Sequence, residues 1–128
     1  MQALVVEASE VVRETLSEHL LQLGFQVEQA SEGATALGKL EAFPPPDVIL
    51  LGWSLPDLDG LEVLRRVRAG AGVCDVPVVM VTTEEQLPLV DDALAAGASE
   101  YLIQPFDAQT VLEKLLLLGV DPELRRAA

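Results

Sequence analysis

Glu7, Ser54, Asp57, Asp59, Thr82, Thr83 and Gln104 are the polar side chains of this 128-residue sequence that stand beside apolar runs, where chemistry is commonly sited. Their types and spacing argue against several reactions. Gly52-Trp53-Ser54-Leu55-Pro56 begins like the Gly-x-Ser-x-Gly turn that presents a serine nucleophile. The second glycine is missing, and the single histidine, His19, precedes the serine instead of following it. Asp57-Leu58-Asp59-Gly60 touches the pattern of a calcium loop without its third acidic position or its spaced glutamate. A turn and a helix N-cap account for both aspartates. Gly70 and Gly72 follow a helical segment, so they are loop glycines and not a dinucleotide fingerprint. Cys74 is the only cysteine, and it lies in a loop segment with no pattern around it that marks a reactive thiol.

Such groups are positioned by the segments around them. Apolar runs of strand length at 3–6, 25–30, 47–51, 77–82 and 100–103 alternate with segments of helical period. Val12, Leu16, Leu20 and Leu23 form the first helical stripe, stopped by Gly24. A second helix at 33–43 is closed by Pro44, Pro45 and Pro46. A third carries Leu61, Leu64 and Val67; a fourth ends at Gly97 and a fifth at Gly119. Five β-α units in strict alternation predict a parallel sheet with helices on both faces, a three-layer α/β sandwich; the order expected for it is the flavodoxin-like one, 2-1-3-4-5. One domain over residues 1–119 is expected, with 120–128 a tail or the start of a linker.

Charge narrows the partners. The net charge is −13, from 21 acidic and 8 basic residues. That balance opposes nucleic acid and anionic membranes, whose phosphates require clustered Lys and Arg. Arg65, Arg66 and Arg68 lie on one predicted helix and Arg125 and Arg126 in the tail, which suits solvated surface. No apolar run approaches the roughly 20 residues of a membrane span. One cysteine and no signal peptide make a reducing cytoplasm the expected compartment.

In an open sheet of this kind, ligands bind beyond the carboxyl ends of the strands, where the strand order reverses. The residues there are Glu7, Ala8 and Ser9; Gly52, Trp53 and Ser54; Thr82 and Thr83; and Gln104 and Pro105. The stretches around them, VILLGWSLPDLDG, VPVVMVTTEEQ and ALAAGASEYLIQPFD, make residues 1–119 resemble a receiver domain, the phospho-accepting module of two-component response regulators.

That resemblance implies an acidic pair after strand 1, an acceptor aspartate ending strand 3, a Thr or Ser ending strand 4 and a lysine before the proline after strand 5. Glu7 and Thr82 match, as does Tyr101, the aromatic that moves on activation in the family. Ala8, Gly52 and Gln104 do not. One carboxylate is too little to anchor Mg²⁺, a glycine cannot form an acyl phosphate, and an amide offers no ammonium charge. The losses fit one another, since a lysine left without its carboxylate would be a costly unpaired charge. A degenerate, phosphorylation-independent pseudo-receiver is therefore expected: no enzyme, no cofactor, Mg²⁺ binding lost or very weak.

The resemblance also places partner and dimer contacts on the fourth helix, fifth strand and fifth helix. Here that surface would draw on Asp91, Asp92, Tyr101, Leu102, Val111, Leu112 and Leu115, and the four consecutive leucines 115–118 cannot all face the sheet. Two alternatives stand beside this reading. A small ligand could occupy a cavity left at Gly52, or phosphorylation could move to Ser54, Asp57 or Asp59. Trp53 would either close the empty site or face a partner.

Overall fold

The computed structural model describes residues 1–70 and 72–123, which leaves the expected Arg125 and Arg126 surface outside the described residues. The elements are β1 (Gln2–Val6), α1 (Glu10–Gln22), β2 (Gln26–Ala30), α2 (Gly33–Ala42), β3 (Val48–Gly52), α3 (Gly60–Ala69), β4 (Val78–Thr82), α4 (Val90–Ala95), β5 (Glu100–Ile103) and α5 (Ala108–Leu117). All strand pairs are parallel, in the order β2-β1-β3-β4-β5. This is the expected flavodoxin-like sandwich.

Alternation along each strand divides the interior into two layers. Ile49, Leu51 and Met80 meet Val63 and Leu64 of α3 on one face. Val48, Leu50, Val79 and Val81 meet Leu16 and Leu20 of α1 and Val111 and Leu115 of α5 on the other. Every residue of β3 and β4 is buried, which is why these strands are apolar up to their last residues, Gly52 and Thr82. Each fully buried leucine contributes about 1.5–3 kcal/mol relative to exposure. Val120 joins the α1–α5 layer at 6% exposure.

Helix ends follow their capping residues. Ser9, Asp59 and Asp107 accept the N–H groups of Val12, Glu62 and Thr110 and start α1, α3 and α5. α1 therefore begins two residues before the first apolar position of its stripe. Gly24, at φ +98°, turns the chain out of α1 as expected. The fourth helix differs from the sequence reading. A 3₁₀ turn, Glu84–Leu89, precedes a short α4, because Thr83 and Gln86 form a reciprocal capping box and Pro88 interrupts α-helical bonding.

Arg68 holds the far end of the sheet together. Its Nε donates to the Gly97 carbonyl at 2.8 Å, and Nη1 to the carbonyls of Val76 and Cys74 at 2.6 and 3.1 Å. Nη2 reaches Ser99 Oγ at 3.3 Å. Burial pushes the guanidinium pKa down from its ordinary value, with the charge of Asp75 opposing that shift.

Candidate functional site

Register fixes the geometry at the carboxyl edge. Val6 pairs with Leu51, Gly52 with Val81, and Thr82 with Ile103, so the residues that follow β1, β3, β4 and β5 end at a common level. Glu7, Ala8, Gly52, Thr82 and Gln104 are thereby brought to one edge, as the sequence predicts.

Glu7 supplies the charge nearest the end of β3. The Glu7 N–H donates to the Ala30 carbonyl at 3.0 Å, and Arg13 Nη1 donates to the Glu7 carbonyl at 2.8 Å. With its backbone held on both sides, the side chain folds across the end of β3. Oε2 accepts the Ser9 N–H at 2.9 Å, and Oε1 lies 2.7 Å from where a Cβ on Gly52 would stand. The place of the missing side chain is thus covered by the Glu7 carboxylate. Gly60 presses on the same turn. Its N–H donates to the Trp53 carbonyl at 2.7 Å, and a Cβ there would run into the Gly52 carbonyl oxygen.

Trp53 corrects both expectations made for it. Its side chain packs in the layer lined by α3, at 8% exposure, so it neither faces a partner nor fills the space over Gly52. Alternation sends residues 52 and 53 to opposite faces. The indole Nε1–H is buried and has no hydrogen-bond partner among the described residues.

Thr82 is fully buried, and its hydroxyl donates to the Thr83 carbonyl at 3.2 Å. The Gln104 N–H donates to the Thr82 carbonyl at 2.8 Å, and Gln104–Pro105 is a cis peptide. An open cleft of about 470 Å³ runs between Thr83, Glu84, Glu85, Gln104 and Pro105, and Gly52 does not line it.

The loop aspartates have structural partners. Asp57 Oδ1 and Oδ2 accept the N–H groups of Gly33 and Ala34 at 2.8 and 2.9 Å, and Oδ1 also accepts that of Leu58. Asp57 therefore caps α2 from the loop after β3. The Ala34 and Gly33 N–H groups lead the causes that hold its pKa below the ordinary carboxylate value. Asp59 caps α3, and Ser54 forms an isolated antiparallel bridge with it.

On the fourth-helix and fifth-helix side, burial divides the expected surface. Leu102, Val111 and Leu115 are 1%, 1% and 0% exposed. They face the α1–α5 layer and cannot meet a partner, because helical and strand periodicity turn them to the sheet. Asp91 and Asp92 are exposed; Tyr101 and Leu112 are half-buried. Leu116 and Leu117 are the leucines that turn outward, at 46% and 71% exposure. Sequence reasoning missed the clasp on Tyr101. Lys114 Nζ pairs with Glu100 Oε1 at 3.2 Å and stands 4.6 Å above the tyrosine ring. Glu100 Oε1 also accepts the Tyr101 N–H at 2.9 Å. The i-to-aromatic reach across two elements leaves no local sequence signal.

A five-stranded doubly wound sheet whose loops converge beyond β1, β3, β4 and β5 defines a class of signalling domains, and this chain belongs to it: the response regulator receiver domain model matches residues 3–116. The chemotaxis protein CheY1 of Helicobacter pylori is 34% identical over 123 residues, covering 94% of this chain and 99% of that protein. Among solved structures, the chemotaxis response regulator CheY4 of Vibrio cholerae superposes with a TM-score of 0.84 at 31% identity, over 91% of this chain and 97% of that one. The receiver domain of the Pseudomonas aeruginosa sensor histidine kinase PA1611, solved with a magnesium ion coordinated in its active-site cleft, gives 0.82 at 28% identity, over 92% and 97%. The chain is thus a receiver domain of signal transduction, a regulatory class. Among the described residues no helix is long and apolar enough to cross a membrane.

Proposed function

We propose that this receiver domain signals by binding protein partners without passing through an aspartyl phosphate. One observation carries the reading: Gly52 ends β3, and the Glu7 carboxylate lies where a side chain at that position would begin. A phosphoryl group has no oxygen to attach to there, and a carboxylate already lies across the approach. Asp57 and Asp59 are poor substitutes, since both are engaged as helix caps. The covered position also supports this reading over a small-ligand sensor, which needs an open cavity at Gly52.

The donors at this edge do not fit the family's magnesium ion. Glu7 brings one carboxylate, half of it engaged with Ser9, while Ala8 and Gly52 bring no side-chain oxygen. Mg²⁺ prefers octahedral oxygen ligation, usually anchored by one or two carboxylates with further oxygens supplied by substrate phosphate. The domain works as a non-enzymatic module of the cytoplasm. Its partners are proteins, a second copy of the chain among them, met through the surface of α4, β5 and α5. On that surface Asp91, Asp92, Tyr101 and Leu112 are the accessible members, together with Leu116 and Leu117.

Backbone amide NMR tests the proposal, with Mg²⁺ added first and then Mg²⁺ with beryllofluoride, a phosphoryl mimic. Unmoved signals at Glu7, Ser54, Thr82 and Gln104 are expected. Saturable shifts spreading from those residues to Tyr101 and α5 would overturn it.

A further inference from the structure

A hollow between α2 and α3 is left open by the chain's own packing. Leu37, Leu40, Val67 and Val73 form the apolar walls of a cleft of about 650 Å³. Gly38 lies in the same wall, exposed in the middle of α2, and a Cβ added there would meet nothing within 4 Å. A glycine inside a helix destabilises it relative to alanine, and no contact within the chain requires one at 38. Glu41 and Arg66 also line the hollow, one on each helix. Glu41 has no ion-pair partner among the described residues, whereas Arg65 and Arg66 share the single carboxylate of Glu62, at 3.9 and 3.1 Å. The α3 side thus carries a surplus cation and the α2 side an unpaired anion. Just past Leu40, at the end of α2, the Phe43 ring stands 60% exposed.

We infer that two copies of this chain associate through the α2–α3 face about a two-fold axis. Such a contact sets one patch against itself, so every feature must find its complement on the same patch. This face holds two complementary pairs: a projecting ring with an apolar hollow, and an unpaired carboxylate with a surplus guanidinium. Phe43 of one copy enters the hollow beside Gly38 of the other, and Glu41 of one meets Arg66 of the other, each contact made twice. Charge selects a second copy as the occupant. Glu41 and Glu62 cancel Arg65 and Arg66, so the patch is neutral on a chain of net charge −13. Two copies therefore repel least when they meet here, while an anionic partner is repelled by the rest of the chain and a cationic one is drawn to its acidic faces. The contact is separate from the α4–β5–α5 surface and from the residues around Gly52, so either proposal can fail alone.

Sedimentation equilibrium of the whole chain, from micromolar to millimolar concentration, measures the association. A reversible dimer is expected, with concentration-dependent amide shifts confined to α2, Phe43 and α3. Glu41→Arg alone, or Arg66→Glu alone, should weaken the dimer at least about tenfold, because each sets like charges together twice. The two reversals combined should restore it. Gly38→Leu fills the hollow from within its own chain and should abolish the dimer. It also removes a helix glycine, so it should melt no lower than the parent, and the loss of association cannot come from unfolding. Asp91→Arg, on α4, should dimerise as the parent does. A monomer at every concentration, a dimer indifferent to Gly38→Leu, or a double reversal that leaves association weak would each overturn the inference. A dimer lost on Asp91→Arg would assign the contact to α4 and overturn it as well.

Discussion

Replacing Gly52 by aspartate puts a second carboxylate where the first already rests. The new Cβ stands 2.7 Å from Glu7 Oε1, so the Glu7 arm must swing aside and the two charges settle about 4 Å apart. At that separation two unit charges repel by about 4 kcal/mol for an effective dielectric near 20. Glu7 is half-buried on a flexible arm, and solvent relieves part of this. A net loss of about 1–2 kcal/mol at neutral pH is expected. Gly52→Ala brings only the steric part, which a movable side chain absorbs for less than about 1 kcal/mol. Urea unfolding followed by the emission of Trp53, the sole tryptophan, measures both. Adding Glu7→Gln to Gly52→Asp should recover at least about 1 kcal/mol as coupling in the double-mutant cycle. Magnesium should raise the midpoint of Gly52→Asp, which has two carboxylates to offer, and leave the parent chain unchanged. Additive effects of the two substitutions would refute the contact between Glu7 and the end of β3.

Three further outcomes follow from the same geometry. Asp57→Asn should lower stability at neutral pH. Because the folded carboxyl has a depressed pKa, its contribution is complete above the ordinary carboxylate range and is lost as pH falls through the folded value. The stability curves of the two proteins should therefore converge in acid, as urea titrations at several pH values would record. Leu115→Ala should cost about 2–5 kcal/mol, and Leu117→Ala no more than about 0.5, because the first fills the α1–α5 layer and the second faces solvent. Lys114→Met should cost about 0.5–1 kcal/mol and speed the motion of the Tyr101 ring, read from its NMR line shape.

Strand length and helical period in the sequence were enough to place the five strands and five α-helices named above, because β3 and β4 are buried on both faces and their apolar runs are uninterrupted. The positions at the carboxyl edge followed from that order. What the sequence did not disclose depends on side-chain direction and reach. Glu7 and Gly52 are far apart in the chain, and only the pairing of β1 with β3 sets the carboxylate over the glycine. Alternation could have turned Trp53 inward in advance, opposite to Gly52. The same periodicity, applied residue by residue, separates Val111 and Leu115 from Leu116 and Leu117. Asp57 was legible as a loop residue, but the helix it caps lies more than twenty residues earlier, beyond any local motif. The 3₁₀ turn before α4 was written in Thr83, Gln86 and Pro88, a capping pair and a breaker that hydrophobic spacing does not weigh.

Arg68 gives the two ends of the sheet different mechanical characters. Its guanidinium bonds carbonyls of the segment before β4 and of the loop before β5, so these two approaches to the sheet cannot separate without stranding a charge among unpaired carbonyl groups. A guanidinium stays protonated throughout the physiological range even when burial lowers its pKa, so the seam holds from acid to alkaline conditions. At the opposite edge Asp57 ties the loop after β3 to the start of α2, but among the described residues no side-chain hydrogen bond joins the loops after β4 and β5. Local opening is therefore expected first in the loops after β4 and β5, whose backbone amides should exchange with solvent water sooner than those beside Arg68. The fold in effect has a hinge-free base and a pliable rim, and adaptation to a partner can take place at the rim without loosening the base.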